Sequence, residues 1–460
     1  MRFNKILSFA LALTLSFSAM QKIVNISDVS FAAESEDDEN NYVKGKCTMY
    51  DKKNHVLTIF GNVTKEELDK YRSGNNAHGT VEEIIAAPNT VLPENCYNLF
   101  ANFKDAKYIE MEGVDTSQVT NMWGMFSGDL ALAVLHIGSF YTGNVTDMGN
   151  MFSGCVNLKY FDEHLETSKV VNMNSMFQLC GSITELDLSN FDTSNVESMD
   201  SMFHRCSSLK ELNLESFDTS KVKSMQAMFG ECSALDTIHL NNFDTSNVIS
   251  MEGMFGDCTN LKWIDITNFK TSSVVEMNSM FYGCKKLKEL DLSSFTISSK
   301  LKTMANMFAF CDNLETIKVN ENWTHDKISN VQYTQKMFQG CVNIRGGYGT
   351  KYDFNHIDGD YARIDTPAFK GYLTSTYAAT DSVGDTNNDG KIDATDASNI
   401  LSKYTEYATS GKTPTPYELA VYDVNGDGKI NSVDASYVLS YYADKQTGRT
   451  GSFADYMANH

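Results

Sequence analysis

Proline and basic side chains are scarce in this sequence of 460 residues. Only 5 prolines occur, which leaves little room for a long rigid linker. Lysine and arginine together number 38 against 59 aspartates and glutamates, so the formal net charge is −21. Such a chain repels phosphate backbones, and nucleic acid is therefore not an expected partner. The chain is too long for a single domain with one hydrophobic core, which predicts several domains or a repeat array.

A marked apolar run stands at the start of the chain. Ile6 to Ala19 are too few to span a bilayer comfortably, and the positive charges of Arg2 and Lys5 precede them. This pattern predicts an export signal over residues 1–32, cleaved after Ala32. The mature protein is expected to be secreted, with no membrane insertion after cleavage.

An internal repeat of about 26 residues fills most of the remaining chain. Residues Val196 to Cys206 place apolar side chains at helical spacing, and Leu212 and Leu214 then alternate with polar residues as in a short strand. Neither element can bury its apolar side alone, so the copies are predicted to stack as an α/β solenoid of the leucine-rich repeat type, with a helix and a short strand in each coil. The repeated phenylalanine occurs at gaps of 25 to 27 residues, at Phe126, Phe152, Phe177, Phe203, Phe229, Phe255, Phe281 and Phe308.

The repeat resembles a known family. Leu186 to Cys206 reads LDLSNFDTSNVESMDSMFHRC, which is similar to the unit of bacterial surface proteins with BspA-type leucine-rich repeats. Gly45 to Val63 looks like the family's N-terminal cap, and the segments at Tyr361 and Gly371 look like its exit segment. The resemblance implies a cell-surface or secreted adhesion and interaction role, with no catalytic activity and with ligands that vary between members.

Most cysteines share one repeat position. Neighbouring coils lie about 5 Å apart on the strand side, and disulfides need Cα separations of about 4.4–6.8 Å, so both a disulfide framework and a column of buried thiols are open. The thiol interpretation is favoured because each cysteine ends an apolar stripe and because Asp129 takes this position in the first full copy. The eight cysteines are Cys155, Cys180, Cys206, Cys232, Cys258, Cys284, Cys311 and Cys341.

A second column is acidic and is followed each time by Thr and Ser. It could form a calcium column, or each aspartate could cap a turn. Lys270 and Thr296 stand at the same position in later copies, and a cation there would disrupt a continuous metal site. The turn cap is therefore favoured for Asp115, Asp192, Asp218 and Asp244.

The outward side chains of the predicted strands are expected to form a concave binding surface, named here the strand face. Its acidic and aromatic side chains suit an unknown ligand, either a basic protein segment or a glycan. The alternative is that these are merely soluble strand residues. The predicted binding residues are Tyr108, Tyr160, Asp162, Asp187, Glu211, His239, Trp263 and Asp265.

Two loops near the C-terminus have calcium-loop spacing. Oxygen-bearing residues occupy loop positions 1, 3, 5, 9 and 12, glycine occupies position 6, and the lysine at position 7 offers its backbone carbonyl. Aspartate replaces the usual glutamate at position 12. Two calcium ions are therefore expected. Their predicted ligands are Asp385, Asn387, Asp389, Lys391, Asp393 and Asp396 in the first loop and Asp423, Asn425, Asp427, Lys429, Asn431 and Asp434 in the second.

Each loop is followed by a helical pattern, but no amphipathic helix precedes the first loop. The region Gly384 to Asp444 thus resembles a type I dockerin, a small all-α module of two half EF-hands. The resemblance implies docking into a cohesin domain of a scaffolding protein. It also implies that cohesin contacts come from Ala394, Thr395, Ala397, Ser398, Ser432, Val433, Ala435 and Ser436. The two halves differ at Ala394-Thr395 and Ser432-Val433, which argues against equivalent binding in two orientations.

The expected organisation is a signal peptide (1–32), an N-terminal cap (34–94), a leucine-rich solenoid (95–345), a C-terminal cap (346–374), a linker (375–383), a dockerin (384–444) and a tail (445–460). The expected function is a noncatalytic adhesion or interaction subunit of a cellulosome, held outside the cell on a cell-bound scaffold. The alternative is a cellulosomal glycoside hydrolase. It is disfavoured because the acidic residues follow the repeat spacing instead of forming one pair across a cleft.

Overall fold

A computed structural model of the protein describes residues 41–74, 78–138, 140–161, 164–320, 323–365, 369–375, 383–387, 391–414, 416–448 and 451–458. The predicted signal peptide lies outside these residues. Residues up to Leu261 and residues from Lys262 onward form two compact units. Among the helices of the described ranges, none is long and apolar enough to cross a membrane.

The first unit begins with a seven-stranded sheet in the order β1 to β7. Strands β1, β2 and β3 pair antiparallel, and β3 to β7 pair parallel. The antiparallel part covers the start of the parallel array, as expected of a cap. The elements are β1 (Tyr42–Lys44), β2 (Thr48–Asp51), β3 (Val56–Ile59), α1 (Lys65–Leu68), β4 (Glu83–Ala86), β5 (Tyr108–Glu110), β6 (Val134–His136), β7 (Tyr160–Phe161) and β8 (Thr237–His239).

The second unit contains further coils and a helical module. Strands β10, β11 and β12 form a parallel sheet, and four helices follow β12 within the described ranges. The elements are β9 (Trp263–Asp265), β10 (Glu289–Leu292), β11 (Thr316–Val319), α2 (His325–Ser329), a 3₁₀ turn (Gly359–Tyr361), β12 (Leu373–Ser375), α3 (Ala394–Ser410), α4 (Pro416–Tyr422), α5 (Ser432–Gln446) and α6 (Phe453–Met457).

The predicted solenoid followed by a helical module is confirmed, but the apolar stripe of each coil is a run of turns and contains no α-helix. Met202 N–H donates to the carbonyl of Met199 three residues back, at 3.2 Å, where an α-helix would bond four residues back. Ser201 and Arg205 have φ of 55° and 65°. Left-handed residues at this interval end any helical run. Apolar side chains at the ends of successive turns produce a spacing close to that of a helix, which is why the sequence pattern misled.

The turns expose alternate peptide groups to the next coil. Phe203 N–H donates to the carbonyl of Met228 at 2.9 Å, and Arg205 N–H donates to that of Gly230 at 2.8 Å. Phenylalanine rings stack along the same direction, and consecutive ring centroids from Phe100 to Phe255 are 5.4 to 5.9 Å apart. Each coil is therefore completed by its neighbours.

All ten cysteines are buried and free, in agreement with the buried-thiol interpretation and against a disulfide framework. Thiols of the repeat bond to main-chain carbonyls of the preceding coil. For example, Cys206 Sγ donates to the carbonyl of Phe177 and Cys232 Sγ to that of Phe203, both at 3.1 Å. Burial raises the pKa of Cys206 well above its ordinary value and that of Cys232 to about 12.

The acidic column forms turn caps. Asp192 Oδ1 accepts the N–H of Ser194 at 3.0 Å, and Asp115 accepts that of Ser117 at 2.9 Å. The side-chain hydroxyls of these serines, and then their N–H groups, lower the pKa of both carboxyls. The capping geometry accounts for the recurring aspartate without a metal ion.

Asp129 replaces cysteine in the first full coil and is completely buried. Its Oδ1 accepts the N–H of Phe103 at 2.7 Å, whereas its Oδ2 has no hydrogen-bond partner among the described residues. Burial raises its pKa well above the ordinary value, and the Phe103 N–H and the charge of Arg72 offset this only in part. Burial therefore favours the protonated form of this carboxyl in the folded coil.

Thiol alkylation tests the cysteine column. Because the thiolate is the reactive form and burial disfavours it, we expect no adduct when the native protein is treated with iodoacetamide at pH 8. After denaturation without reductant, all ten cysteines should react, as counted by mass spectrometry. Native adducts on the repeat cysteines, or fewer than ten adducts after denaturation, would contradict this structure.

The substitution Asp129→Asn tests the buried carboxyl. Because the pKa of Asp129 is raised in the folded chain, the folded chain keeps a proton over a pH range in which the unfolded chain, with a pKa of about 4, has released it. The free energy of unfolding therefore falls as pH rises from about 4 towards the raised pKa. Asparagine retains Oδ1 and cannot ionise. We expect the variant to be more stable at pH 7 by about 1–3 kcal/mol, with the difference vanishing near pH 4.

Thermal unfolding of both proteins across this pH range measures the effect. The control is Asp312→Asn at an exposed position, which should leave the pH dependence unchanged. An equal effect of the two substitutions, or no gain at pH 7, would show that Asp129 is ionised in the folded protein.

Candidate calcium loops and interaction surfaces

Helices α3 and α5 start with the same capping arrangement. In α3, Asp393 accepts the N–H of Thr395 at 2.7 Å, and Asp396 Oδ2 accepts the N–H of Asp393 at 2.9 Å. Asn431 and Asp434 repeat this arrangement in α5. The predicted ligands at loop positions 9 and 12 therefore also define where each helix begins.

The second loop curls around its own acidic side chains. Asp423 is buried, and its two carboxylate oxygens accept the N–H groups of Asp427 and Gly428 at 3.1 and 2.8 Å. The Asn425 side-chain oxygen, Oδ1, also accepts the N–H of Asp427. The main-chain N–H of Asn425 donates to Asp434 Oδ1 at 3.4 Å. Local hydrogen bonds thus bring positions 1, 3, 5 and 12 into one loop.

The first loop is described in part. Asp385 and Asp396 are buried, and Asp396 Oδ1 accepts both the N–H and the hydroxyl of Thr386, at 2.7 and 2.9 Å. Asp389 and Gly390 lie outside the described residues. Of the remaining predicted ligands in both loops, Asp393, Asn425 and Asn431 are half-buried, and the exposed ones are Asn387, Lys391, Asp427 and Lys429.

The electrostatics of the second loop suit a cation. Burial, with a further contribution from Asp423 and Asp427, raises the pKa of Asp434 to about 6, and burial also raises that of Asp423. A hard divalent ion bound to these oxygens would offset the repulsion. Within the described ranges, no three acidic, histidine or cysteine side chains are gathered as a ready metal cluster. A calcium loop also uses asparagine oxygens and main-chain carbonyls, however, so the donor types present fit calcium.

The core of the helical module includes residues beyond the predicted dockerin boundary. Phe453 and Tyr456 of α6 are buried, and both rings pack edge-on against Tyr441 at 5.0 and 5.6 Å. The predicted tail, residues 445–460, therefore contains part of the module. The core residues are Ala397, Ile400, Leu419, Val424, Ile430, Ala435, Val438, Tyr441, Phe453 and Tyr456.

Two of the predicted cohesin contacts are wrong. Ala397 and Ala435 are only 1% and 2% exposed, because each precedes a core residue, Ile400 or Val438, by three positions on the same helix face. A partner cannot reach them. The other predicted contacts are exposed and remain predictions: Ala394, Thr395, Ser398, Ser432, Val433 and Ser436.

Exposed apolar side chains on α3 and α5 were missed. Leu401 and Leu439 occupy equivalent positions and are 41% and 43% exposed, and Tyr404 is 43% exposed. Each leucine directly follows a core residue, so it points away from the core face. That offset from the core stripe was the signal available in the sequence. Such residues on a small module are typical of an interaction surface.

The strand face of the first unit is only partly available to a ligand. Tyr108 is buried, which corrects its predicted exposure, because it packs with Val134 and Tyr160 and its hydroxyl donates to Glu110 Oε2 at 2.6 Å. The His136 ring lies 5.8 Å from Tyr108 and 5.3 Å from the half-buried Tyr160. Asp162 lies outside the described residues. The exposed predicted residues of this unit are Asp187, Glu211 and His239.

In the second unit, the predicted strand-face residues are Trp263 and Asp265. Trp263 is 49% exposed. Asp265 is half-buried, and its Oδ1 accepts the N–H and hydroxyl of Thr267 at 3.1 and 2.7 Å. Trp263 is therefore the larger contact surface of the two.

Comparisons with known proteins agree with this architecture. The family described as "Mycoplasma protein of unknown function, DUF285" matches in five overlapping segments, residues 94–210, 133–237, 156–264, 207–317 and 251–359. The family described as "Dockerin type I domain" matches residues 383–441. Among curated proteins, none matches this chain.

Two solved structures illustrate the more distant similarities. A leucine-rich repeat protein from Bacteroides ovatus is 15% identical with a TM-score of 0.36, and the match covers 76% of this chain and 91% of the other. The pneumococcal vaccine antigen PcpA is 14% identical with a TM-score of 0.32, and the match covers 60% and 81% of the two chains. Since the repeat matches together span more than half of the sequence, the chain belongs to the DUF285 family, with BspA-like repeats followed by a type I dockerin domain.

Proposed function

We propose that this protein is a secreted, noncatalytic interaction subunit that a calcium-ordered dockerin attaches to a cohesin on a cell-bound scaffold. The observation that carries the proposal is the duplicated loop and helix start, in which Asp396 and Asp434 each cap a helix and close a loop. The dockerin match supports calcium and cohesin binding. The repeat coils then present the strand face to a protein or glycan.

Two calcium ions would be held in the loops by the predicted ligands given above. When bound, each ion supplies positive charge to oxygens that otherwise repel one another. The chain's own residues orient those oxygens. Thr386 holds Asp396 in the first loop, and Gly428 holds Asp423 in the second. Ion binding to the folded form alone stabilises the module by linkage.

The glycoside hydrolase alternative has little support in the described residues. A glycosidase needs two carboxyl groups about 5–10 Å apart across a sugar cleft, one of them with a raised pKa. A cleft of about 590 Å³ in the predicted C-terminal cap, residues 346–374, has one carboxyl side chain in its wall, Asp353. The N–H of Asn355 lowers its pKa, which is the wrong direction for a general acid. The families found are of noncatalytic kinds.

Calcium titration tests the module. Titration calorimetry on the full chain should show two calcium sites, and Asp385→Ala and Asp423→Ala should each remove one. At free calcium of about 100 times Kd, each site should contribute about 2.7 kcal/mol to the stability of the module. EDTA should abolish capture by an immobilised type I cohesin and leave the unfolding transition of the coils unchanged.

The control is Asp312→Asn, an exposed acid outside the loops, which should bind two ions like the native chain. Cohesin capture that persists in EDTA, or calcium uptake that both alanine variants retain, would exclude the proposed mechanism.

The exposed leucines provide a second test. We expect Leu401→Asp combined with Leu439→Asp to weaken binding to a type I cohesin by at least about tenfold, because apolar anchors often dominate an interface. Leu130→Asp is the matched control, since Leu130 is 42% exposed in the repeats. Surface plasmon resonance in calcium measures the affinities. Equal affinities of the Leu401→Asp, Leu439→Asp double variant and the Leu130→Asp control would show that the two leucines are not part of the interface.

A further inference from the structure

A cleft of about 590 Å³ lies in the C-terminal cap, after the last repeat. The sequence predicts only a cap for this segment, with no binding site. The residues of its wall that matter chemically are Tyr348, Lys351, Asp353, Phe354, Tyr361 and Lys370. None of them belongs to the strand face or the dockerin.

Buried polar side chains hold the cleft wall in place. Asp365 is 2% exposed, and its carboxylate accepts the N–H groups of Tyr348 and Thr350 at 2.9 and 3.0 Å. The buried Tyr372 hydroxyl accepts the N–H of Asp353 at 2.9 Å and lies 3.2 Å from the carbonyl of the same residue, to which it can donate. Both ends of the segment 348–353 are therefore fixed. A wall of this kind needs little ordering when a ligand binds.

The cleft presents aromatic surface to water. Phe354 is 76% exposed and Tyr348 is 43% exposed, whereas most large apolar side chains of the described residues are buried. One face of Tyr361 is already covered by the His356 ring at 4.1 Å. An aromatic face carries partial negative charge, so it attracts the polarised C–H groups on the flat face of a sugar ring.

The side chains that line the cleft include more cations than anions. Lys351 and Lys370 are exposed, and neither forms an ion pair with another described residue. The single carboxyl of the wall, Asp353, already accepts the N–H and the side-chain amide of Asn355. The buried Asp365 carboxylate behind the wall is directed at the N–H groups of Tyr348 and Thr350 and does not face the cleft. The side chains that line the cleft thus carry two ammonium groups and one engaged carboxylate, in a chain whose formal net charge is −21. This disfavours cationic ligands and favours ligands that carry carboxylates.

We propose that this cleft binds an acidic polysaccharide, with sugar rings stacked on Phe354 and Tyr348 and uronate carboxylates bound by Lys351 and Lys370. The combination of flat apolar faces with regularly spaced carboxylates distinguishes such a chain from an acidic peptide, whose backbone offers no ring face. The site adds a ligand that the proposed attachment through the dockerin does not involve.

Titration calorimetry on the full chain tests the site with a short oligogalacturonate as the probe. The matched ligand is the same oligosaccharide with its carboxyl groups reduced to alcohols. We expect the acidic form to bind at least about tenfold more tightly than the reduced form at low ionic strength, and added salt to narrow the difference. Poly-L-glutamate should not bind.

Variants locate the interaction. Phe354→Ala should weaken oligogalacturonate binding by about tenfold, and Lys351→Met with Lys370→Met should weaken it to a similar extent. The matched controls are Tyr333→Ala, at a tyrosine that is 46% exposed, and Lys300→Met, at an exposed lysine. Circular dichroism should show all variants folded, and cohesin binding should be unchanged in each.

Three results would overturn the proposal. The first is no binding of oligogalacturonate to the native chain. The second is equal binding of the acidic and reduced forms, or of poly-L-glutamate. The third is a Phe354→Ala variant that binds as the Tyr333→Ala control does. Because cohesin binding is measured in parallel, a failure here is distinct from a failure of the proposed function.

Discussion

The coils depend on hydrogen bonds that each of them leaves for the next. Within one turn run, alternate peptide groups bond inside the coil, and the others, such as Phe203 N–H to the Met228 carbonyl, cross to the neighbour. A lone coil would expose those groups and also one face of its phenylalanine and methionine side chains. Stacking a further coil therefore satisfies the unpaired peptide groups and buries the apolar side chains at the same time.

Hydrogen bonding to main-chain groups of neighbouring coils also explains which side chains recur. The cysteine position is small and apolar, and its sulfur bonds to a carbonyl of the preceding coil. The threonine that follows each capping aspartate is buried for a related reason. Thr193 donates to the carbonyl of Asp218 and accepts its N–H at 2.9 and 2.8 Å. A polar residue that recurs at one position of the repeat can therefore have a structural role.

Much of the fold could be predicted from spacing, and the errors have physical causes. The repeat period, the buried thiols and the turn caps follow from which residues recur. The predicted helix in each coil was wrong because the spacing of apolar residues does not report φ. Ser201 and Arg205 have a left-handed backbone but are not glycines, so the sequence gives no sign of that conformation. Tyr108 was placed at the surface because strand alternation cannot show that Val134 and Tyr160 cover it. The dockerin loops were recognisable because metal ligation demands fixed spacing. The cap cleft was not, since its walls come from segments that only folding brings together.

The near-identical contacts between coils have a consequence for how such chains change over generations. The ring spacing between Phe177 and Phe203 is 5.8 Å, and that between Phe203 and Phe229 is 5.7 Å. Removing one whole coil would join two surfaces that already match. Recombination between repeats in the gene could therefore lengthen or shorten the array in steps of one coil, leaving both caps and the dockerin intact. The length of the array would then be a quantity that evolution adjusts by copy number.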